Sequence, residues 1–252
     1  MLHPQSSFKD HFSEQAGTYS KFRPQYPEEM FKYLSSQCRH LERAWDCATG
    51  NGQAALGLAQ YFKHVVASDA SHKQILNAVH HDKIRYLIAQ AESVPLRAHS
   101  LDLVMVAQAL HWLDFPKFYP EVRRLLKPRG IIAASCYNWT HITTDIDATM
   151  TFFQNEVVGP YWTLERLHVD NRYRTIPFPF DEISPSPFMM EQFWDMDRLI
   201  GYLETWSATQ QYKNSTGKNP LDVIREDLTR AWQTAAEKKR ILWNIHLRVG
   251  KV

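Results

Sequence analysis

Apolar positions in the first half of the chain follow two alternating periods. From Pro27 to His40 a proline and two acids open a segment with apolar residues at Met30, Phe31 and Leu34, which predicts a helix. Arg43 to Cys47 is short and strand-like, and Gln53 to Phe62, rich in Ala and Leu, reads as helix. His64 to Ser68 is a β-branched strand ending at Asp69, Ser71 is placed to cap a helix running to about His80, and Ile84 to Ala89 is a third strand. Leu101 to Ala107 is almost continuously apolar, as a strand buried on both faces should be. A helix over Phe115 to Leu126 and a fifth strand over Gly130 to Tyr137 complete the series. Strand and helix alternating in this way predict an α/β fold with a doubly wound, mostly parallel sheet.

After Tyr137 the rhythm breaks. Residues 144–160 read as helical, and 170–190 are rich in Pro and Phe. Asp197 to Ser207 and Leu221 to Glu237 read as helices, and Arg240 to Val249 as a strong strand. The expected organisation is one domain over 1–252. Residues 1–26 form a lid, 27–137 a ligand-binding core, 138–239 an insertion over the binding edge, and 240–252 a final strand that returns to the sheet.

Composition narrows the function. A chain of 252 residues with 44% hydrophobic residues can bury one large core. The 29 Lys and Arg nearly balance 27 Asp and Glu, so no polybasic footprint points to nucleic acid. No apolar run approaches the roughly 20 residues that span a bilayer, and the start at Met1 lacks the apolar region of a secretory signal. Cys38, Cys47 and Cys136 lie far apart, and the eleven histidines other than His111 show no ligand spacing, so no metal is expected. These features predict a cytoplasmic protein without nucleic-acid or membrane partners, acting as a monomer or weak homodimer. Glycine is scarce, at nine residues, yet two of them sit at Gly50 and Gly52. The eight tryptophans include Trp139, Trp162, Trp194 and Trp206 in the second half, where aromatics form core or line a pocket.

In an open parallel sheet, ligands bind beyond the carboxyl ends of the strands. The first such end is Asp46-Cys47-Ala48-Thr49-Gly50-Asn51-Gly52, where glycines let backbone approach a ligand closely. The second ends at Asp69, about 20 residues further on and placed to accept hydrogen bonds from a ribose diol. Gly50-x-Gly52-x-x-Ala55 followed by Asp69 also satisfies the dinucleotide fingerprint, so this loop alone leaves NAD open. The later ends are Gln90-Ala91-Glu92-Ser93-Val94-Pro95, Gln108-Ala109-Leu110-His111-Trp112, and Leu126-Lys127-Pro128-Arg129-Gly130 before the fifth strand.

In this order the series resembles class I S-adenosylmethionine (SAM)-dependent methyltransferases of the small-molecule type. Tyr19 to Pro27, Gln108 to Trp112, Gly201 to Ser207 and Leu242 to Gly250 are similar to the branch of trans-aconitate methyltransferase-like proteins. The resemblance implies a seven-stranded Rossmann-like sheet and SAM held by Asp46, Ala48, Gly50, Gly52, Asp69, Gln90, Ala91, Glu92 and Gln108. The acceptor implied is a small molecule, with methyl transfer to the oxygen of a carboxylic acid. Ala48 replaces the usual first glycine of the loop and is expected at an ordinary negative φ. Gln90 stands where an Asp is frequent, and its carbonyl can accept the same bond.

Much of the acceleration of a methyl transfer can come from positioning. A carboxylate acceptor is already anionic and needs a clamp rather than a base. Arg23 is the candidate clamp, because guanidinium meets carboxylate in a bidentate fork, or it ties the lid to the sheet. His111 lies where a base would serve a hydroxyl or amine, or it is structural. Tyr19, Trp112, Trp139 and Trp206 are candidate acceptor contacts, since aromatic faces also stabilise a cation. Two alternatives stand beside this reading: a SAM-binding regulatory protein without transferase activity, suggested by the missing glycine, and the NAD-dependent oxidoreductase.

Overall fold

The computed structural model describes residues 22–252. Tyr19 and most of the expected lid fall outside the described residues. Helix α1 (Glu28–Gln37) opens the described core, followed by β1 (Arg43–Cys47), α2 (Gln53–Ala59), β2 (His64–Asp69), α3 (His72–Leu76) and β3 (Ile84–Ile88). Then come β4 (Leu101–Ala107), a 3-10 turn at Leu110–Trp112, α4 (Phe115–Leu125) and β5 (Leu126–His141).

These strands pair parallel in the order β3-β2-β1-β4-β5. Alternate side chains point to opposite faces, which builds two cores. Ala44, Val65, Leu103, Met105 and Ile131 pack against Met30, Phe31 and Leu34 of α1 and Leu58 of α2. Trp45, Val66, Val104, Val106 and Ile132 pack against Phe118, Val122 and Leu125 of α4.

The second half contains α5 (Thr144–Phe152), a π-helical turn at Phe153–Val157 and a 3-10 turn at Gly159–Tyr161. It continues through α6 (Arg166–Asp170), β6 (Asp181–Ile183), β7 (Phe188–Trp194), α7 (Met196–Glu204), α8 (Ser207–Thr216), α9 (Arg225–Trp232) and β8 (Lys239–Lys251). Its side chains join both cores. Phe153, Leu199, Tyr202 and Trp206 extend the first, while Val169, Tyr173 and Ile176 extend the second.

Among the described residues the sheet has eight strands, not the seven expected. β8 runs antiparallel to β5 along one edge. Its other edge is shared by two short strands: β6 pairs with its end, Asp181 opposite Lys251, and β7 with its beginning, Trp194 opposite Lys239. Prolines at 185 and 187 separate the two strands and mask the alternation of β7 in the sequence. Other elements also differ from expectation. Ser71 does cap α3, accepting from the Gln74 amide at 3.3 Å, but that helix ends at Leu76 rather than near His80. The helix expected over 144–160 gives way at Phe153 to the π-helical turn, ahead of Pro160. No helix among the described residues is long and apolar enough to cross a membrane.

Candidate active site

The carboxyl ends of β1, β2, β3 and β4 open on a cleft of about 390 Å³. The loop after β1 bends left-handed three times, at Ala48 (φ 54°), Gly50 (φ 57°) and Gly52 (φ 91°). The negative φ expected at Ala48 is therefore corrected. The Thr49 amide bonds the Ser68 carbonyl at 2.9 Å and the Gly50 amide bonds Asp69 Oδ2 at 2.9 Å, pinning the loop across the end of β2. Residue 48 lies between Cys47, the last residue of β1, and these anchors, and it takes the left-handed turn although it carries a Cβ. Gly52 turns away from the cleft: a Cβ there would stand 2.2 Å from the Tyr86 hydroxyl.

Asp46 is fully buried beneath this loop and forms no part of the cleft wall. It accepts a short hydrogen bond from the Thr49 hydroxyl. Burial pushes its carboxyl up to about 7, against the opposing pull of Thr49 and the Ala55 amide. In this geometry Asp46 and Gly52 shape the loop from behind, where the sequence suggested ligand contact. Asp69 does face the cleft, and its Oδ1 accepts the Ser71 amide at 2.8 Å.

Gln90, Ala91 and Glu92 line the cleft beyond β3, and Glu92 Oε1 accepts the Asp114 amide at 3.0 Å. Gln108, at φ 56°, follows β4. Its side-chain amide pairs with the Tyr137 backbone, donating to the carbonyl at 3.0 Å and accepting from the amide at 2.8 Å. That pairing extends the β4–β5 ladder by one step and sets Gln108 and Tyr137 into a shared wall. On its far side lies a smaller chamber of about 50 Å³, also bounded by Trp112.

The chamber joins residues remote in sequence. Arg23 enters from before α1, donating to the Tyr137 hydroxyl at 3.3 Å and the Thr205 carbonyl at 3.2 Å, with its guanidinium 5.3 Å from the Tyr202 ring centre. Its neighbour Phe22 lies against Gly201 of α7, where a Cβ would stand 2.4 Å from the ring. Arg166 of α6 stacks over Trp162 at 4.3 Å and pairs with Asp170 at 3.0 Å. His111 stands on the 3-10 turn with Nδ1 2.8 Å from the Tyr173 hydroxyl. Burial, with Arg166 and His168 nearby, pushes its pKa down to about 3, so the ring is neutral at physiological pH. Trp112 and Trp206 also line the chamber. Trp139 does not: it is 40% exposed and lies at the irregularity where β5–β8 pairing skips from Tyr137 to Thr140.

Tyr26, Tyr137, Arg166, Tyr173 and Tyr202 were not singled out from sequence as site residues, and Trp162 was named only among tryptophans that form core or line a pocket. Tyr26 and Tyr202 fall inside segments quoted for the resemblance, so a signal for them was present. Arg166 and Tyr173 lie in the insertion, where no strand end marks a position.

Comparison with known proteins agrees with this architecture. Residues 45–134 match the sequence pattern of a methyltransferase domain. A Dictyostelium discoideum protein named as a methyltransferase is 32% identical over 241 residues, covering 94% of this chain and 92% of that protein. A structure described as a type II methyltransferase from Anaeromyxobacter dehalogenans superposes with a TM-score of 0.86 at 39% identity, covering 91% of this chain and 98% of the other. A Saccharomyces cerevisiae protein named as an S-adenosylmethionine-dependent methyltransferase is 28% identical over 142 residues, about half of each chain. The chain belongs to the class I SAM-dependent methyltransferase family, and its methyl donor is S-adenosylmethionine. The NAD and non-catalytic alternatives are set aside.

Proposed function

We propose that this enzyme methylates the carboxylate oxygen of a small organic acid, as the trans-aconitate methyltransferase-like branch would imply. One observation carries the reading: the described residues lining the inner chamber include Arg23 and Arg166 but no Asp or Glu. Such a wall attracts an anion and offers no carboxylate base. The outer cleft has the opposite balance, with Asp69, Glu92, Asp114 and Glu165 against Lys117. That acidic wall suits a sulfonium donor, and its volume lies within the range of ligand pockets.

In this reading SAM occupies the outer cleft and supplies an electrophilic methyl group. Asp69 receives the ribose diol, held at the cleft by the backbone amides of Gly50 and Ser71. Gln90, Ala91 and Glu92 flank the adenine, and Ala48 to Gly50 border the methionine part. Gln108 and Tyr137 form the partition at which donor and acceptor meet. Arg23 and Arg166 hold the acceptor carboxylate, and Trp112 and Trp206 exclude water. The same reading divides the single domain into a core over 27–137, an insertion over 138–239 that covers the acceptor, and a final strand over 240–252. The guanidinium bonds fix the nucleophilic oxygen, so positioning supplies the catalysis.

Matched acceptors test the proposal. With methyl-labelled SAM, label should pass to small carboxylic acids and not to their primary amides or alcohols. Transfer to the alcohols or to amines with the acids inert would reject it.

A further inference from the structure

Tyr173 is fully buried, beside the 3-10 turn that carries His111. Among the described residues its hydroxyl makes one hydrogen bond, with the His111 ring. The phenol proton must therefore find its acceptor there, since a buried donor left unpaired is destabilising. The acceptor within hydrogen-bond distance is His111 Nδ1. A neutral imidazole that accepts at Nδ1 carries its proton on Nε2. The ring lines the chamber, and Nε2 makes no hydrogen bond to a described residue.

We propose that Tyr173 locks His111 in the Nε2–H tautomer, so that His111 presents a hydrogen-bond donor, and not a base, to the methyl acceptor. Charged and titratable neighbours agree. Arg166 and His168 disfavour a second proton on the ring, Glu165 favours it, and burial decides for the neutral form. Tyr173 is then a positioning residue that acts through His111. A neutral N–H beside two guanidinium groups aims one oxygen of the acceptor while the other stays exposed to the methyl. This role in transfer rests on the carboxylate reading. The tautomer rests on hydrogen bonding alone, so the two fail separately.

Nitrogen NMR of the intact, 15N-histidine-labelled protein tests the tautomer without any acceptor; the His111 signals are those missing from His111→Gln. Wild type should show a protonated Nε2 and a bare Nδ1, unchanged between pH 5 and 8. Tyr173→Phe should give a mixture of tautomers. A protonated Nδ1 in wild type, or an unaltered pattern in Tyr173→Phe, would overturn the lock. Kinetics test the donor role. Gln returns an N–H near the Nε2 position but cannot act as a base. His111→Leu should lower kcat/KM by roughly 10- to 100-fold, the worth of a hydrogen bond to a charged group, and His111→Gln should recover most of it. If both variants lose the same 10²–10⁴-fold, the histidine is a general base and the donor role is wrong.

Discussion

Replacing Ala48 with glycine should stabilise the protein. At φ 54° the Ala48 Cβ crowds the following carbonyl, which costs an L-residue roughly 1–2 kcal/mol. Glycine is spared that strain, but its freer unfolded chain takes back roughly 0.5–1 kcal/mol. The net gain lies between about 0 and 1.5 kcal/mol, centred at about 0.75, which raises Tm by roughly 1.5–3 °C for a chain of this size. The Ala55→Gly change is the control. Ala55 sits fully buried inside α2, where glycine costs about 1 kcal/mol against alanine and no left-handed strain is relieved. Scanning calorimetry without cofactor should move the two midpoints in opposite directions. If Ala48→Gly melts below wild type while Ala55→Gly falls as expected, the left-handed loop is not the native conformation, and the pinning by Thr49 and Gly50 is misjudged.

Other perturbations probe the two cavities. Asp69→Ala should weaken SAM binding in calorimetry through loss of charge-assisted hydrogen bonds, each worth roughly 1.5–3 kcal/mol, and unaltered affinity would remove Asp69 from the ribose site. Arg166→Gln should raise KM for an acid acceptor roughly 10- to 100-fold while leaving SAM affinity near wild type, and an unchanged KM would place the acceptor elsewhere. The Asp46 carboxyl is raised in the folded state, so folding binds its proton between pH about 4 and 7 and stability falls as pH rises through that window. His111 is lowered, so its contribution is complete above about 6.5 and is lost as pH falls toward 3. The two oppose each other. Asp46→Asn should therefore make denaturant stability rise more steeply from pH 4 to 6.5, and an identical pH profile would contradict the burial of that carboxyl.

The strand ends were legible because a parallel sheet gathers them at one edge. Gly50 and Asp69, apart in sequence, meet there in a 2.9 Å hydrogen bond. Gln90 to Glu92 and Gln108 reach the same cleft by the same rule. What the sequence did not disclose depends on tertiary closure. Arg166 reaches the chamber, and Tyr173 packs behind it against His111, because α6 and the segment after it fold back onto β5 and the 3-10 turn, and no periodicity encodes that docking. Trp139 was misplaced because a skip in β5–β8 pairing upsets the inward and outward alternation. Asp46 was read as a ligand contact because its motif names the residue without revealing that the side chain turns inward beneath Thr49. Ala48 turns left-handed just ahead of anchors on a neighbouring strand, which the residue type itself does not signal.

The bond formed in the product tests the central claim most directly. Methyl transfer to a carboxylate creates an ester, whereas transfer to a hydroxyl, amine or carbon creates a bond that mild alkali leaves intact. After reaction with methyl-labelled SAM and a responsive acid, brief alkaline treatment should release the label as volatile methanol. Label that stays on the acceptor through that treatment would contradict carboxylate methylation in the arginine-lined chamber.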